Sequence, residues 1–219
     1  MTKGVVKMYK LPLTLIFSLV VFSSASATPF DDQLKAAEQG DSSAQLILGA
    51  AYFLGNGFTK DYTEAVKWFQ KAADQGDALG QARLGYVYFN GIGVTQDYAE
   101  AVKWYHKAAD QGNAVAQANL GNMYFNGNGV TQDYTESVNW YQKAADQGNA
   151  FGQFCIGNAY FFGNGVTQDY EEAVKWFQKA ADQGYAYAQF NLAISFEHGT
   201  GNPKNNIQAH KWFNPGFPK

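Results

Sequence analysis

Histidine, cysteine and paired carboxylates are the residue types that could do chemistry in this chain, and their spacing assembles no reactive site. His106, His198 and His210 fall at unrelated positions. No two of them share one helical face at the close spacing a zinc site uses. Cys155 is the sole cysteine; inside a helical pattern it reads as a small buried hydrophobe, with intermolecular pairing as the alternative. The sequence holds neither a Gly-x-Ser-x-Gly elbow nor a Gly-x-x-x-x-Gly-Lys phosphate loop, so acyl transfer and nucleotide hydrolysis lose their usual signatures. Carboxylates are plentiful but fall at helix starts and on exposed faces, leaving no isolated couple for acid and base roles. The expectation is a protein without catalytic residues, metal or cofactor.

What the spacing does show is a repeat. Trp68, Trp104, Trp140, Trp176 and Trp212 recur every 36 residues, and so do Asp61, Asp97, Asp133 and Asp169. The same period carries Gly55, Gly91, Gly127, Gly163 and Gly199, and the Asp-Gln-Gly tripeptides ending at Gly76, Gly112, Gly148 and Gly184. A constant period without insertions outranks any local reading. It predicts one structural unit copied along the chain.

Each unit reads as helix, glycine loop, helix. In the third, Ala116, Leu120 and Tyr124 stand at i, i+4 and i+8 and form one apolar stripe. Gly121 lies beside it, where a missing side chain lets a neighbouring helix come close. The second helix begins at an Asp-x-x-Glu capping box: Asp61 with Glu64, Asp97 with Glu100, Asp133 with Glu136, Asp169 with Glu172, and Asn205 with Gln208 in the fifth unit. Its inward stripe in the first unit is Ala65, Trp68 or Phe69, and Ala72. Gly76 is placed to end it in the left-handed conformation, and Lys67 and Lys71 are expected to face water. One such pair cannot bury its stripes alone, whereas stacked neighbours can. The fold expected is therefore all-α, a solenoid of 36-residue helix-loop-helix units.

The ends differ from the middle. Lys3, Lys7 and Lys10 precede an apolar run from Leu11 to Phe22 and the small residues Ser23 to Ala27, the order of a secretory signal peptide cleaved after Ala27. The run is interrupted by Pro12 and is shorter than the roughly 20 apolar residues a membrane span needs. Cleavage would turn the net charge of −3 into −6, because the segment holds three lysines and no carboxylate. An acidic chain without basic clusters argues against nucleic acid and against an anionic membrane surface. The organisation expected is a signal peptide at 1–27, a capping half-helix at 28–40, units at 41–76, 77–112, 113–148 and 149–184, and an incomplete fifth unit with an irregular C-terminus at 185–219. Pro215 follows Trp212 closely, so the last helix stops early and leaves an apolar end that points to self-association, to docking on a partner, or to a truncated reading frame.

The pattern Ala-x-x-x-Leu-Gly-x-x-Tyr-x-x-Gly-x-Gly-Val-x-x-Asp-x-x-x-Ala-x-x-Trp-x-x-x-Ala-Ala-x-x-Gly resembles the Sel-like repeat family, relatives of tetratricopeptide repeats. Ile156 departs from its Leu, Phe58 from its Val and Ser137 from its Ala, while the fifth unit has Ala193 for Gly and Phe196 for Tyr. The resemblance implies a right-handed α/α superhelix acting as an adaptor or scaffold. In bacteria it implies regulators of envelope processes or factors engaging host proteins. A cysteine-rich exported subgroup is linked to β-lactam hydrolysis, but it pairs cysteines in each repeat, and this chain has none to pair.

Solenoids of this kind turn their first helices inward, which makes the face of each first helix not packed on its own second helix the candidate groove. Helical spacing selects Leu79, Val115, Phe151 and Tyr187; three residues on, Phe154 and Phe190; four further, Tyr86, Asn122 and Asn158; and Phe162 in the last turn. These rows vary while the Leu-Gly and Trp rows barely do. The function expected is non-catalytic capture of a protein or peptide in the periplasm, with a secreted host-binding factor as the alternative and β-lactam hydrolysis a distant third.

Overall fold

The computed structural model describes residues 30–213. The expected signal peptide and the stretch from Asn214 onward lie outside the described residues. Within them the chain is helical: α1 (Phe30–Glu38), α2 (Ser42–Leu54), α3 (Tyr62–Asp74), α4 (Ala78–Asn90), α5 (Tyr98–Asp110), α6 (Ala114–Asn126), α7 (Tyr134–Asp146), α8 (Ala150–Phe162), α9 (Tyr170–Asp182), α10 (Ala186–His198) and α11 (Asn206–Phe213). Each helix packs on the one before and the one after it. That is a solenoid, with even-numbered helices as the first and odd-numbered helices as the second member of each pair.

Two glycine devices set the pairing. Gly49, Gly85, Gly121 and Gly157 are buried in the first helices, and a Cβ on Gly121 would lie 2.7 Å from the Tyr141 ring. The ring of the second helix therefore lies flat against backbone, as the missing side chain predicted. Gly76 has φ +87°, and the Gly76 and Asp77 N–H groups donate to Ala73 and Ala72 carbonyls at 3.0 and 3.2 Å. This closes α3 as a Schellman motif. Both helices thus end where the sequence placed their stops.

The capping boxes form by half. Asp61, Asp97, Asp133 and Asp169 each accept the N–H three residues on, at 2.9 to 3.0 Å. The reciprocal arm is absent, because the Asp61 N–H donates instead to the Tyr52 carbonyl of the preceding helix, and Asp97, Asp133 and Asp169 do likewise to Tyr88, Tyr124 and Tyr160. The glutamates turn outward, where Glu64, Glu100 and Glu172 pair with Lys67, Lys103 and Lys175 at 2.8 to 2.9 Å. Lys71 is exposed, as expected, and makes a ring contact as well. Its Nζ lies 3.7 Å from the centre of the Trp68 ring, and Lys107, Lys143 and Lys179 repeat the contact over their own tryptophans, each worth about 0.5–1 kcal/mol at an exposed site.

Units are joined by apolar packing and by a polar rail. Trp104 packs with Phe69 and Leu84, Trp140 with Tyr105 and Leu120, and Trp176 with Tyr141 and Ile156, so each tryptophan seals a joint to the unit before. Trp68 packs on Ala37 of α1, which stands where an earlier second helix would be. Inside these joints lies a row that sequence reasoning missed: Gln45, Gln81, Gln117 and Gln153 are buried. Each donates to a carbonyl of the preceding helix, Ala37, Ala73, Ala109 and Ala145, at 3.0 to 3.4 Å. Each also accepts from a glutamine that closes its own unit, Gln75, Gln111, Gln147 and Gln183, at 2.7 to 2.8 Å. The signal was present as a glutamine recurring every 36 residues inside an apolar stripe.

A buried polar group is expensive only when its partner is removed. Gln117→Leu removes two bonds of the rail, leaving the Ala109 carbonyl with the Gly112 N–H and the exposed Gln147 amide with the Lys143 carbonyl, and is expected to cost about 1 kcal/mol. Urea denaturation measures it. A change within a few tenths would show the rail to be dispensable.

Candidate inner binding face

Adjacent first helices touch each other directly. Asn191 of α10 donates to Asn158 Oδ1 of α8 at 3.3 Å, and Phe53 of α2 lies 6.5 Å from Tyr86 of α4, ring centre to ring centre. The charged pairs belong to the second helices, whereas α2, α6 and α8 carry no charged residue and α4 carries Arg83 alone. The inner face is thus nearly uncharged, and its chemistry comes from asparagines and aromatic rings.

The expected groove residues divide into three sets. Leu79, Phe162, Tyr187 and Phe190 are exposed, and Val115, Asn122, Phe151, Phe154 and Asn158 are half-buried. Tyr86 is 7 % exposed and packs with Phe53, Leu84 and Trp104, which corrects its placement on an open face. The ring is drawn into the joint between the first two units. Phe154 also serves a joint, since it lies 6.0 Å from Phe177, 5.1 Å from Tyr185 and 6.2 Å from Tyr187. Its equivalents Ala82 and Ala118 are buried, whereas Phe190 of the same row is 55 % exposed, so the row turns from joint to open face toward the last unit.

One step of four along each first helix lies a row of which sequence reasoning singled out Cys155 alone. Arg83, Asn119, Cys155 and Asn191 sit four residues after Leu79, Val115, Phe151 and Tyr187. Arg83 is the chain's one arginine and is 8 % exposed; burial lowers its pKa to about 10, leaving it cationic at neutral pH. Asn119 bonds the Val115 carbonyl of its own helix at 2.9 Å. Cys155 is buried, and desolvation pushes its thiol far up, against a bond from Tyr141 that pulls the other way. A thiol held protonated is a poor nucleophile at neutral pH, in keeping with its reading as a small hydrophobe.

The aromatic end of the face breaks a local rule. Asp41, Asp77, Asn113 and Asn149 cap their first helices through side-chain oxygens, but Tyr185 stands at the same position of α10 and makes no such bond. Losing an N-cap costs about 1 kcal/mol. The Tyr185 ring instead lies 6.4 Å from Phe151, 5.1 Å from Phe154 and 5.9 Å from Tyr187, and aromatic pairs of this kind contribute about 0.5–1.5 kcal/mol each. A polar cap has been exchanged for a ring cluster. Among the described residues no group of histidine, cysteine and carboxylate side chains could hold a metal, and no helix is long and apolar enough to cross a membrane.

Helix pairs joined by identical contacts, with variation confined to one face, define an α/α-solenoid repeat protein. The chain belongs to the Sel1 repeat family, whose model matches residues 42–77, 78–113, 114–149, 150–185 and 186–215. Among solved structures it is similar to a protective antigen present in uropathogenic Escherichia coli strains, at 46 % identity and a TM-score of 0.81, over 86 % of this chain and 40 % of that one. A Sel1 repeat protein from Oxalobacter formigenes also superposes with a TM-score of 0.81, at 34 % identity over 87 % of this chain and 76 % of that one. A stretch of 59 residues is 45 % identical to the secretory immunoglobulin A-binding protein EsiB of E. coli O6:H1, covering 27 % of this chain and 12 % of that protein. The chain thus spans less than half the length of the E. coli antigen and a small part of EsiB. The family is generally one of non-catalytic interaction scaffolds.

Proposed function

We propose that this protein is an exported, non-catalytic scaffold that holds a protein or peptide partner on the inner face of its first helices. One observation carries the reading: the joints repeat without change, while the inner positions run from Leu79 through Val115 and Phe151 to Tyr187 and keep apolar side chains exposed or half-exposed. Exposed aromatic side chains around a partly buried cluster are typical binding anchors. Export rests on the basic, apolar and small-residue order of residues 3–27. We place the protein in the periplasm.

Phe162→Ala, at the more exposed ring, is expected to weaken partner capture by at least about tenfold, the scale of one interface anchor, while the melting temperature moves by no more than about 2 °C. Tyr187→Ala, which also loses ring contacts to Phe154 and Tyr185, is expected to lower it by several degrees. Crosslinking mass spectrometry on the tagged chain identifies the partner and the face it covers. Crosslinks confined to the second helices would overturn the reading. Capture in the extracellular medium is the second reading, favoured by the names of two relatives: one is a protective antigen of uropathogenic strains and one an immunoglobulin A-binding protein. Comparing medium with periplasm, and assaying binding to secretory immunoglobulin A, decides between them.

A further inference from the structure

The two ends of the solenoid carry the two halves of one second helix. α11 ends in Lys211-Trp212-Phe213, where α9 has Lys175-Trp176-Phe177, and Asn214-Pro215 then stands in place of Gln178-Lys179. The missing half lies at the other end of the chain. Leu34 to Gly40 reads Leu-Lys-Ala-Ala-Glu-Gln-Gly, against Gln-Lys-Ala-Ala-Asp-Gln-Gly at 178–184. This half already sits in the register of a preceding unit, because Gln45 donates to the Ala37 carbonyl at 3.0 Å as Gln81 does to that of Ala73. Asn206–Phe213 followed by Leu34–Gly40 spells out one complete second helix with its stop.

Each end also keeps one partner of a contact that the interior makes repeatedly. In the fourth unit Phe154 packs against Phe177, Ala180 and Ala181 of its own second helix. Phe190, its equivalent one unit on, has the Phe213 ring at 5.9 Å but no alanine pair, and stays open to solvent. Ala36 is the converse, half-buried where its equivalents Ala72, Ala108, Ala144 and Ala180 are 0 % exposed. The loops repeat the lesson. A Cβ on Gly93, Gly129, Gly165 or Gly201 would strike the carbonyl of the residue that opens the preceding second helix, Tyr62, Tyr98, Tyr134 or Tyr170. Asn206 opens the last such helix and Gly57 begins that glycine row, so these two are left over. Beside Asn206, Ile207 is 82 % exposed. A solenoid end normally presents a polar outer face, and this one presents rings and an isoleucine.

Charge decides which ends meet. Residues 30–41 hold Asp31, Asp32, Glu38 and Asp41 against Lys35 alone, whereas residues 186–213 hold Lys204 and Lys211 against Glu197 alone. Lys211 has Gln208 three residues before it, where Lys67, Lys103 and Lys175 have the glutamates they pair with. Like ends repel and unlike ends attract. We propose that copies of this chain join head to tail, the fifth unit of one completed by α1 of the next, with Phe190 closing on Ala36 and Asn206 meeting Gly57. α1 gives up its first turn, residues 30–33, whose place His210–Phe213 already fill; the end turn of a short helix frays at little cost. The contact is heterologous and leaves a free end of each kind, so it extends into a filament instead of closing as a pair. It stands apart from whatever the inner face holds, and it makes that face continuous from copy to copy.

Analytical ultracentrifugation of the purified chain tests it. The weight-average mass is expected to climb with concentration past that of a dimer, and to fall back at about 1 M salt, where charges are screened. Ile207→Asp changes an exposed side chain and is expected to weaken association by about tenfold or more, while the melting temperature of dilute chain moves by no more than about 2 °C. Phe190→Asp is expected to abolish association, with circular dichroism confirming the fold. Carbodiimide crosslinking of mixed heavy- and light-isotope chains is expected to join Lys204 or Lys211 of one copy to Asp32 or Glu38 of another. A chain that stays monomeric at about 1 mM would overturn the proposal, the residues after Phe213 then covering their own end. A mass that levels off at a dimer, or links confined to Lys204, Lys211 and Glu197 of two copies, would overturn it in favour of a tail-to-tail pair. Association indifferent to both variants would place the contact elsewhere.

Discussion

Phe177→Ala is expected to destabilise the protein by about 3–5 kcal/mol, the range for deleting a fully buried aromatic side chain. The ring is 1 % exposed; it lies against Gly157, where even a Cβ would fall 2.6 Å from it, and it packs with Leu192 and Ala188 of the next unit. Removing it opens the intra-unit contact and the following joint together. A solenoid is held by neighbour contacts alone, so the loss stays local. Urea titration followed by tryptophan emission should then resolve two transitions, with the last two units unfolding first. Phe213→Ala is the matched control. Phe213 holds the same position 36 residues later but is 40 % exposed, and its loss should cost under about 1 kcal/mol, in proportion to the smaller area buried. Equal losses at the two positions would mean that the joints carry little of the stability.

Gly129→Ala is the second large effect, expected to cost about 2–4 kcal/mol from left-handed strain and forced contact combined. Gly129 has φ +72°, and an added Cβ would sit 2.5 Å from the Tyr98 carbonyl of the preceding unit. Both atoms of that carbonyl belong to backbone, so neither can swing away. Gly148 separates the two causes. Its φ of +81° is as unfavourable, yet nothing lies within 4 Å of the added atom, so Gly148→Ala should cost only about 1 kcal/mol. Thermal melts of the pair measure the difference. Similar melting temperatures would mean that the loop of one unit does not lean on the next.

Much of this was legible in the sequence, for a physical reason. The Trp, Gly and Asp rows mark seals, stops and caps, and each does its work within one unit or against its neighbour, so a fixed period exposes them. What escaped notice needed a third dimension. The Asp61 N–H has a better acceptor in the Tyr52 carbonyl than in Glu64, and nothing in an Asp-x-x-Glu spacing reveals that the previous helix ends beside it. Tyr86 looked open because its helical phase is right, but the first helices crowd together there. Arg83 and Asn119 were overlooked because a charged or amide side chain is not expected at a position that proves to be buried. The buried glutamines were simply too polar to be searched for in a core.

The glutamine rail has a consequence for inheritance. Because every joint uses the same donor, the same acceptor and the same 36-residue offset, an in-frame crossover between equivalent codons of two units removes or duplicates one unit and leaves each surviving joint chemically identical. With the third unit removed, Gln153 would bond to Ala109 as it now does to Ala145, and no loop would need redesign. Length is thus a heritable variable that can change in one genetic event without passing through a misfolded intermediate. The inner face would lengthen or shorten by one asparagine or one ring at a time.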